Sequence, residues 1–491
     1  MQIKELSWFP SLLLIILSIF IFRVFSWNLA NIDLAFDEAQ YWTWSLAIDW
    51  GYYSKPPFLA WLIALNSSIC GISETCLRIS SPFLYSLSTL FISSAAFVLC
   101  ESNTRNRTAI LAGILWILIP GISLSSALLS TDVPMLFFSS MAIWSFVCFF
   151  YNKTNTYDYF YLTALTISVA LGFLSKYAIL FLLLGFVLFF FFNANFRIQF
   201  KNKLSSKKLI IFTVFLFILV FPHIWWNIKN GFITLQHTMA NVNVDAENYN
   251  FYNVLIFFVE QFAVFGPINF LLFLFIIFNY KKLTEKEKML SFLALIPIVI
   301  ILIQAFISRA HANWAAVSYI PASILVALYI DKIWNNNGKI MYYFTTIFSL
   351  VVLIVLPFFA YYNFKLDPFK RMRGWENLGE QISDIYSQYP SAVLVTDDRK
   401  VLAESIYYMR DRPHKWVRWN ADGIIHDHYE FVTKHEDLKN ETGIMVSVEP
   451  NNQHFIKFFS DVKYLGTVTR VIGKENKKEY KIWLLKGYFS D

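Results

Sequence analysis

The amino-acid sequence predicts an all-α polytopic membrane protein with a small water-soluble α/β domain at its C-terminal end. Of the 491 residues, 57% are hydrophobic and only 15% are charged, and the mean hydropathy is +0.48. A soluble chain of this size could not bury so much apolar surface, so lipid must solvate most of it. After about residue 362 the charges become denser and the apolar runs shorter, which predicts the second domain.

Eleven apolar runs approach the length of roughly 20 residues that a helix needs to cross a bilayer. The fifth and sixth runs are short, and we expect about 11 to 13 transmembrane helices. Gly266-Pro267 interrupts the eighth run, which predicts a kink or a split into two helices. The runs cover residues 8–29, 82–100, 109–128, 135–151, 160–175, 177–192, 209–226, 251–280, 290–308, 315–330 and 341–361.

The distribution of basic residues predicts the orientation. Loops rich in lysine and arginine alternate with loops that carry few of them, and the basic loops mark the cytoplasmic side. By this rule the N-terminus is cytoplasmic, whereas the loop of residues 30–81 and the C-terminal segment lie outside. The basic loops hold Arg105 and Arg107; Lys153; Arg197, Lys201, Lys203, Lys207 and Lys208; Lys281, Lys282, Lys286 and Lys288; and Lys332 and Lys339.

Two apolar segments need an interpretation of their own. Residues 12–29 lie where a signal peptide would, but their length and the lack of an A-x-A-like cleavage site indicate an uncleaved first span. Residues 57–70 are too short to cross comfortably. If they did cross, the later lysine-rich loops would face outward, so we expect a helix that lies in the outer interface.

The chain thus divides into a transmembrane domain, residues 1–362, and a soluble α/β domain, residues 363–491. In the second domain, residues 392–396, 443–448 and 481–485 predict strands. Asp398 and Arg399 lead into a predicted helix that continues through Met409.

Charge and cysteine content exclude several classes of function. The net charge of +7 does not indicate nucleic-acid binding, because the lysines lie mainly in short loops between spans. No CxxC motif or histidine cluster predicts a metal site, although dependence on a divalent metal stays open. Cys70 and Cys76 share the outer loop and are candidates for a disulfide, whereas Cys100 and Cys148 lie near inner span ends and should stay reduced.

The first outer loop opens with Asp37 and Glu38, a pair of acids on an otherwise apolar protein. Adjacent helix residues point about 100° apart, so the two cannot face one site. Asp37 shares a helix face with Tyr41 and Trp44. A structural alternative is that both acids stabilise the positive end of a helix, an effect of about 0.3–1 kcal/mol.

Lys55 follows Tyr52 and Tyr53 and precedes Pro56 and Pro57 in the same loop. The prolines restrict the backbone and hold the lysine above the predicted interfacial helix. A lysine at that height can bind a lipid phosphate, or it can simply extend towards the headgroups. The neighbouring tyrosines offer flat faces for a sugar or a prenyl chain.

Later outer loops add polar residues at the same predicted face. Asp132 precedes Pro134 at the head of the fourth span, where it can also cap a helix. Lys176 lies between two short span ends, and Arg309, His311 and Asn313 lie in a later tight loop. Each is explicable as a polar turn, but their shared face favours one functional site.

These motifs as a set resemble the membrane glycosyltransferases of the GT-C fold. The chain is similar to the dolichyl-phosphate-mannose protein mannosyltransferase superfamily (glycosyltransferase families 39 and 83). Within that superfamily it most resembles the bacterial enzymes that transfer aminoarabinose or galacturonic acid to lipid A. The resemblance continues through residues 311–315 and Tyr319 and fades in the C-terminal domain. It rests on Asp37-Glu38, Lys55-Pro56-Pro57, Thr131-Asp132-x-Pro134 and Leu174-Ser175-Lys176.

The resemblance implies a polyprenyl-phosphate sugar donor and a location in the bacterial inner membrane, with the site and the C-terminal domain in the periplasm. It implies lipid A or another envelope glycolipid as acceptor, with a protein hydroxyl as the alternative. The implied catalytic residues are Asp37, Glu38 and Asp132. The implied phosphate-binding residues are Lys55, Lys176 and Arg309. The residues predicted to contact sugar or lipid are Tyr41, Trp44, Tyr52, Tyr53, His311 and Tyr319.

Two positions depart from the aminoarabinose transferases. Those enzymes commonly have an arginine where this chain has Gln40, and a glutamate where it has Ser54. The loss of one cation and one anion favours a different sugar or altered phosphate contacts. The implied reaction is a single displacement with inversion, in which Asp37 takes the proton of the acceptor hydroxyl.

Two functions of other classes compete with this interpretation. A lipid-linked-sugar flippase should show inverted repeats and charges near the bilayer midplane, and Glu260 is the main charge at such a position. A membrane scaffold whose outer domain binds partners would give no role to Lys55 and the acids together.

Overall fold

The computed structural model describes residues 7–101, 103–152, 155–242, 249–362, 367–420, 422–449, 453–472 and 476–489. The predicted cytoplasmic N-terminus falls in residues 1–6, outside these ranges. The helices of the first half are α1 (Trp8–Ala30), α2 (Phe36–Ser45), α3 (Phe58–Cys70), α4 (Glu74–Arg78), α5 (Ser80–Leu99), α6 (Arg105–Ile117), α7 (Pro120–Ser125), α8 (Asp132–Tyr151), α9 (Asp158–Ser175), α10 (Ile179–Phe192), α11 (Ala194–Lys203) and α12 (Ser206–Lys229).

The second half contains further helices and the strands of one sheet. The helices are α13 (Ile233–Val242), α14 (Phe251–Phe265), α15 (Pro267–Phe278), α16 (Glu285–Ile307), α17 (Tyr319–Lys332), α18 (Lys339–Tyr362), α19 (Trp375–Tyr386), α20 (Arg399–Tyr408), α21 (His428–Val432) and α22 (Gln453–Ile456). The strands are β1 (Val393–Thr396), β2 (Trp416–Arg418), β3 (Gly443–Ser447), β4 (Phe459–Val471) and β5 (Lys477–Tyr488).

Among the described residues, 8 helices are long and apolar enough to cross a membrane, and two bent helix pairs raise the number to 10. The predicted fold class is confirmed: a helical, multi-spanning chain with a small C-terminal sheet. The predicted run that is missing from this set is 109–128, where α6 and α7 are separate short helices. Arg23 of α1 is buried and donates a hydrogen bond to the carbonyl of Ile117 at this break. The arginine therefore satisfies a carbonyl that a continuous helix would have paired.

The break predicted at Gly266-Pro267 is confirmed. The axes of α14 and α15 differ by 114°, and Gly266 between them has φ 92°, a conformation that side-chain-bearing residues avoid. A second bend, of 107°, separates α10 from α11. There Asn193 caps α11, because its Oδ1 accepts a hydrogen bond of 2.8 Å from the backbone N–H of Phe196.

The chain forms two compact units that do not follow chain order. The first comprises the described residues of Met1–Ser26, Lys55–Leu59 and Arg78–Leu356, and it holds most of the apolar helices. The second comprises the described residues of Trp27–Ser54, Ala60–Leu77 and Pro357–Asp491. The predicted domain boundary between residues 362 and 363 stays a prediction.

The sheet lies in the second unit and has the order β2-β1-β3-β5-β4. β1 pairs in parallel with β2 and β3, whereas β5 is antiparallel to β3 and β4. Three predicted strands correspond to β1, β3 and β5, and the predicted helix corresponds to α20, which Asp398 caps. β4 was not predicted, because most of its residues are exposed or half-buried and show no apolar alternation.

The segment after Lys55 forms a short helix, as predicted. α3 has 13 residues, fewer than a span requires, and its position in the membrane interface stays a prediction. Cys70 at its end forms a disulfide with Cys76, a pairing that the sequence left open. Cys100 and Cys148 are buried and lie outside any disulfide.

Candidate active site

In the first unit, three loops meet at the carboxylate of Asp132. Its Oδ1 accepts a hydrogen bond of 2.7 Å from Lys176 Nζ, and its Oδ2 accepts one of 2.8 Å from Asn313 Nδ2. Asp132 is 7% exposed, and the Lys176 side chain is 19% exposed. The structure therefore brings together two predicted site residues, and a third loop adds an amide that orients the acid.

Local structure explains this convergence. Asp132 is the first residue of α8, where a carboxylate favours the positive end of the helix. Lys176 immediately follows the last residue of α9, in an extended conformation that turns it away from the helix axis. Asn313 belongs to a 3-10 helix, Ala312–Ser318, that follows α16. Each side chain thus lies at a helix boundary, where the conformation of the loop determines its direction.

Arg309 and His311 lie in the loop that supplies Asn313. Both are exposed, and the imidazole of His311 makes an edge contact with the Trp314 ring at 5.2 Å. Their predicted contacts with phosphate and sugar stay predictions. Arg309 makes no ion pair in the part of the chain that the structure describes.

Tyr319, a residue predicted to contact sugar or lipid, is buried in the first unit. It is 2% exposed, its hydroxyl donates a hydrogen bond to Gln261 Oε1, and its ring stacks on Phe265 at 4.5 Å. These contacts fix the start of α17 against α14. Contact with the substrate remains a prediction for this residue.

A polar pair of a half-buried tyrosine and a buried histidine lies next to Lys176 and was not predicted as part of the site. The Tyr177 hydroxyl and the His223 Nε2 are 2.8 Å apart, and Asn227 lies 3.2 Å from the same nitrogen. His223 is 1% exposed. Its position inside an apolar helical run was the available signal, because a buried polar residue in a span usually has a partner and a role.

In the second unit, Asp37 and Glu38 occupy the first turn of α2. Glu38 is buried, and its Oε2 accepts a hydrogen bond of 2.9 Å from the backbone N–H of Ala35, the residue that precedes the helix. This is the structural alternative that the sequence offered for an acid at this position. Asp37 is half-buried in the same turn.

The predicted aromatic contacts of the second unit pack mainly on one another. The rings of Trp44 and Tyr52 stack with centroids 4.7 Å apart and an interplanar angle of 3°. Tyr41 lies 5.0 Å from Trp44, and the Tyr53 hydroxyl donates a hydrogen bond of 3.2 Å to the carbonyl of Ile425. All four side chains are buried, and Tyr52 packs against Trp44 of α2. Their contact with sugar or lipid stays a prediction.

His428 completes this aromatic cluster and was not singled out in the sequence. Its ring lies 5.2 Å from Trp44 and 5.7 Å from Tyr52. Burial lowers the pKa of the imidazole to about 3, because an apolar surrounding disfavours the charged form. His428 is therefore a neutral side chain at neutral pH.

Lys55 is half-buried in the bend that precedes α3, which is where the sequence places it. The two prolines that follow it lie directly before the helix begins. Its role in phosphate binding stays a prediction.

The second unit also contains a polar cavity of about 730 Å³, lined by side chains that include Asp397, Arg418, Glu430 and His454. Burial alone would raise the pKa of Asp397, but hydrogen bonds from His454, Ser447 and the backbone hold it below its usual value. Within the described ranges no group of three or more His, Cys, Asp or Glu side chains is arranged to hold a metal ion.

Comparison with known proteins gives two matches by sequence. The family model described as dolichyl-phosphate-mannose-protein mannosyltransferase matches residues 54–226, less than half of the chain. The lipid A galacturonosyltransferase RgtD of Rhizobium johnstonii is 28% identical over 423 residues, which are 85% of this chain and 86% of that protein.

Solved structures of similar shape support the same fold. ArnT from Cupriavidus metallidurans superposes with a TM-score of 0.61 at 13% identity, covering 97% of this chain and 98% of that one, both in its apo state and bound to undecaprenyl phosphate. The Archaeoglobus fulgidus oligosaccharyltransferase in complex with Zn and sulfate gives a TM-score of 0.52 at 15% identity, covering 89% of this chain and 67% of that one. The expected fold is confirmed by these superpositions.

Proposed function

We propose that this membrane glycosyltransferase of the GT-C fold transfers one sugar from a polyprenyl-phosphate donor to lipid A or another envelope glycolipid, on the periplasmic face of the inner membrane. Two relationships support the proposal. The similar protein RgtD is a lipid A galacturonosyltransferase, and the ArnT structure of the same fold binds undecaprenyl phosphate. The charge pattern of the loops supports the periplasmic orientation.

The observation that carries the proposal is the cluster of Asp132, Lys176 and Asn313. A lysine ammonium has three donors, and the bond to Asp132 uses one of them. The carboxylate therefore holds the cation in place and leaves donors for a phosphate oxygen. A cation fixed in advance stabilises the charge that develops on a leaving phosphate without having to reorganise.

We assign the steps of the reaction as follows. The acceptor hydroxyl oxygen attacks the anomeric carbon of the donor sugar and forms the new C–O bond. The bond between that carbon and the phosphate oxygen breaks, and the polyprenyl phosphate leaves with the electron pair. Asp37 takes the hydroxyl proton, a contribution of roughly 10²–10⁴-fold in rate. One displacement inverts the anomeric configuration.

The phosphate is assigned to Lys55, Lys176 and the exposed Arg309. Glu38 is assigned to the helix rather than to the reaction, because its carboxylate already accepts the hydrogen bond that caps α2. Asp132 acts by positioning Lys176.

The acceptor has a second candidate. The matching family model describes protein mannosyltransferases, so a serine or threonine hydroxyl of a protein is the alternative to a glycolipid. The chemistry of the transfer step is the same for both acceptors.

The experiment is a comparison of lipid A and glycoproteins by mass spectrometry in a deletion strain. Loss of one sugar from lipid A, restored by the wild-type chain, is the expected result. With Asp37→Asn, the rate of sugar transfer should be at least about 100-fold lower than with the wild-type chain, although the protein reaches the membrane in normal amount. Asp49→Asn, at an exposed position nearby in the chain, should restore it fully.

Three outcomes would contradict parts of the proposal. Unchanged lipid A together with loss of a protein glycan would move the acceptor to protein. Full restoration by Asp37→Asn would remove the base. If no glycoconjugate changed and the purified chain moved lipid-linked sugar across vesicles without transferring it, the protein would be a flippase.

A further inference from the structure

The helices of the first unit enclose an apolar cavity of about 290 Å³ that the proposed reaction does not use. Every side chain that lines it is apolar, and the wall includes Phe146 of α8, Leu165 of α9, Leu182 of α10, Phe212 of α12 and Met289 of α16. A cavity without polar partners does not hold ordered water well and is suited to hydrocarbon. Its natural occupant is therefore an aliphatic chain.

The cavity communicates with the surface of the first unit. Val187 and Leu209 line it and are 43% and 48% exposed. Both belong to apolar helices, so this exposed side faces hydrocarbon when the protein is in a membrane. A lipid chain can therefore enter from the bilayer without crossing a polar layer.

One wall of the cavity carries positive charge. Phe149 lines the cavity, and the ammonium groups of Lys203 and Lys208 lie 5.5 and 5.7 Å from its ring centroid. Both lysines pair with Asp158, at 3.1 and 2.6 Å. Two cations share one buried carboxylate, so the group keeps a net positive charge.

The surrounding segment extends this charge. Residues 194–208 form α11 and the turn into α12, contain no Asp or Glu, and contribute Phe200 and Leu204 to the cavity wall. Basic clusters beside a membrane span attract anionic lipids, by about 1 kcal/mol per residue. The cations of the segment are Arg197, Lys201, Lys203, Lys207 and Lys208.

We propose that the cavity and this basic segment form a binding site for one anionic glycerophospholipid. An acyl chain of the lipid occupies the cavity, and its phosphate lies against the basic segment. The charge pattern favours an anionic headgroup, because two of the five cations share the single carboxylate of Asp158 and the segment keeps a net positive charge that a lipid without net charge does not neutralise. The proposal does not depend on the assigned sugar transfer.

The test is native mass spectrometry of the full chain in detergent, titrated with phosphatidylglycerol or with phosphatidylcholine of the same acyl composition. We expect the anionic lipid to bind at least about tenfold more tightly. Lys201→Gln combined with Lys207→Gln should remove most of this preference, because both residues are exposed and the bonds to Asp158 stay intact. Lys281→Gln combined with Lys282→Gln, an exposed pair after α15, should leave it unchanged.

A second variant tests the cavity itself. Leu165→Trp fills the space and should weaken phosphatidylglycerol binding while the charges are unchanged; Val187→Trp, at the exposed edge, serves the same purpose if the first variant does not fold. Equal binding of both lipids, or equal effects of the two lysine pairs, would overturn the proposal. Tighter binding of undecaprenyl phosphate at the same site, with displacement of phosphatidylglycerol, would assign the cavity to a prenyl chain instead.

Discussion

At the scale of single residues, several candidate site residues of each unit have fixed partners within that unit. Asp132 is held by Lys176 and Asn313, and Glu38 is held by the N–H of Ala35. The residue types were visible in the sequence, but their partners were not. These partners support the roles proposed above, because Glu38 accepts the hydrogen bond that begins α2, whereas Asp132 orients the ammonium group of Lys176.

Lys55 gives a prediction at this scale. If it binds the donor phosphate, Lys55→Ala should weaken donor binding and slow the reaction together, with a loss well above the factor expected from about 1 kcal/mol for one lysine at an anionic surface. Lys55→Arg should recover only part of the lost donor affinity and rate, because the planar guanidinium group of arginine does not replace the compact charge of the lysine ammonium group. Steady-state kinetics with a synthetic polyprenyl-phosphate sugar measures both effects.

The matched control for Lys55 is Lys229→Ala, at the end of α12. It should transfer sugar at the parent rate. If Lys55→Ala also matched the parent in rate and in donor affinity, Lys55 would merely extend towards the headgroups and the phosphate role would be wrong.

His428 gives a prediction about pH. Its pKa is about 3 in the folded chain against an ordinary value of 6.5, so the unfolded chain binds more protons between these values. Stability from this group is therefore complete above pH 6.5 and decreases as the pH falls towards 3. His428→Phe should flatten this dependence when the thermal midpoint is compared at pH 7.5 and pH 4.5. An unchanged slope would show that the imidazole is solvated.

At the scale of elements, helix breaks shape the first unit more than helix lengths do. Two bent pairs and the divided run α6–α7 account for the difference between eleven predicted runs and the eight unbroken candidate spans among the described residues. Gly-Pro marked one break in the sequence. At the break after Ile117, where Pro120 begins α7, the carbonyl of Ile117 accepts a hydrogen bond from Arg23, about a hundred positions away in the chain, and no local pattern reports such a partner.

Gly266 gives the prediction for this scale. A Cβ at this position would meet its nearest neighbour, Asn269 Nδ2, at 3.5 Å, which is an ordinary contact. The cost of Gly266→Ala is therefore one of backbone conformation, about 1–3 kcal/mol for a residue held at φ 92° and ψ 139°. We expect a lower thermal midpoint in detergent. No change would mean that the break relaxes to another conformation.

At the scale of the whole molecule, the orientation in the membrane is the feature that gives the loops their roles. The lysine-rich loops predict that residue 103 lies in the cytoplasm. Asn103→Cys should therefore resist a membrane-impermeant thiol reagent in spheroplasts and react after permeabilisation. Asp49→Cys, in the loop predicted to lie outside, should react in both. The native cysteines do not interfere, because two form a disulfide and two are buried.

If Asn103→Cys were labelled in sealed spheroplasts, the predicted orientation in the membrane would be wrong and the opposite one would hold. In that orientation the proposed active-site loops would lie in the cytoplasm. The periplasmic acceptor would then be excluded.

The sequence by itself determined that lipid surrounds most of the protein, because a water-soluble chain could not bury a content of 57% hydrophobic residues. It also determined the break at Gly266, the short helix α3 and three of the strands, since each depends on neighbours in the chain. Only the tertiary structure decided which polar residues meet. The Asp132–Lys176 pair, the capping role of Glu38 and the packing of Trp44 on Tyr52 are contacts whose geometry local patterns do not specify. The strand β4 was missed for the converse reason, because its stability comes from pairing with β5 and not from an apolar alternation of its own.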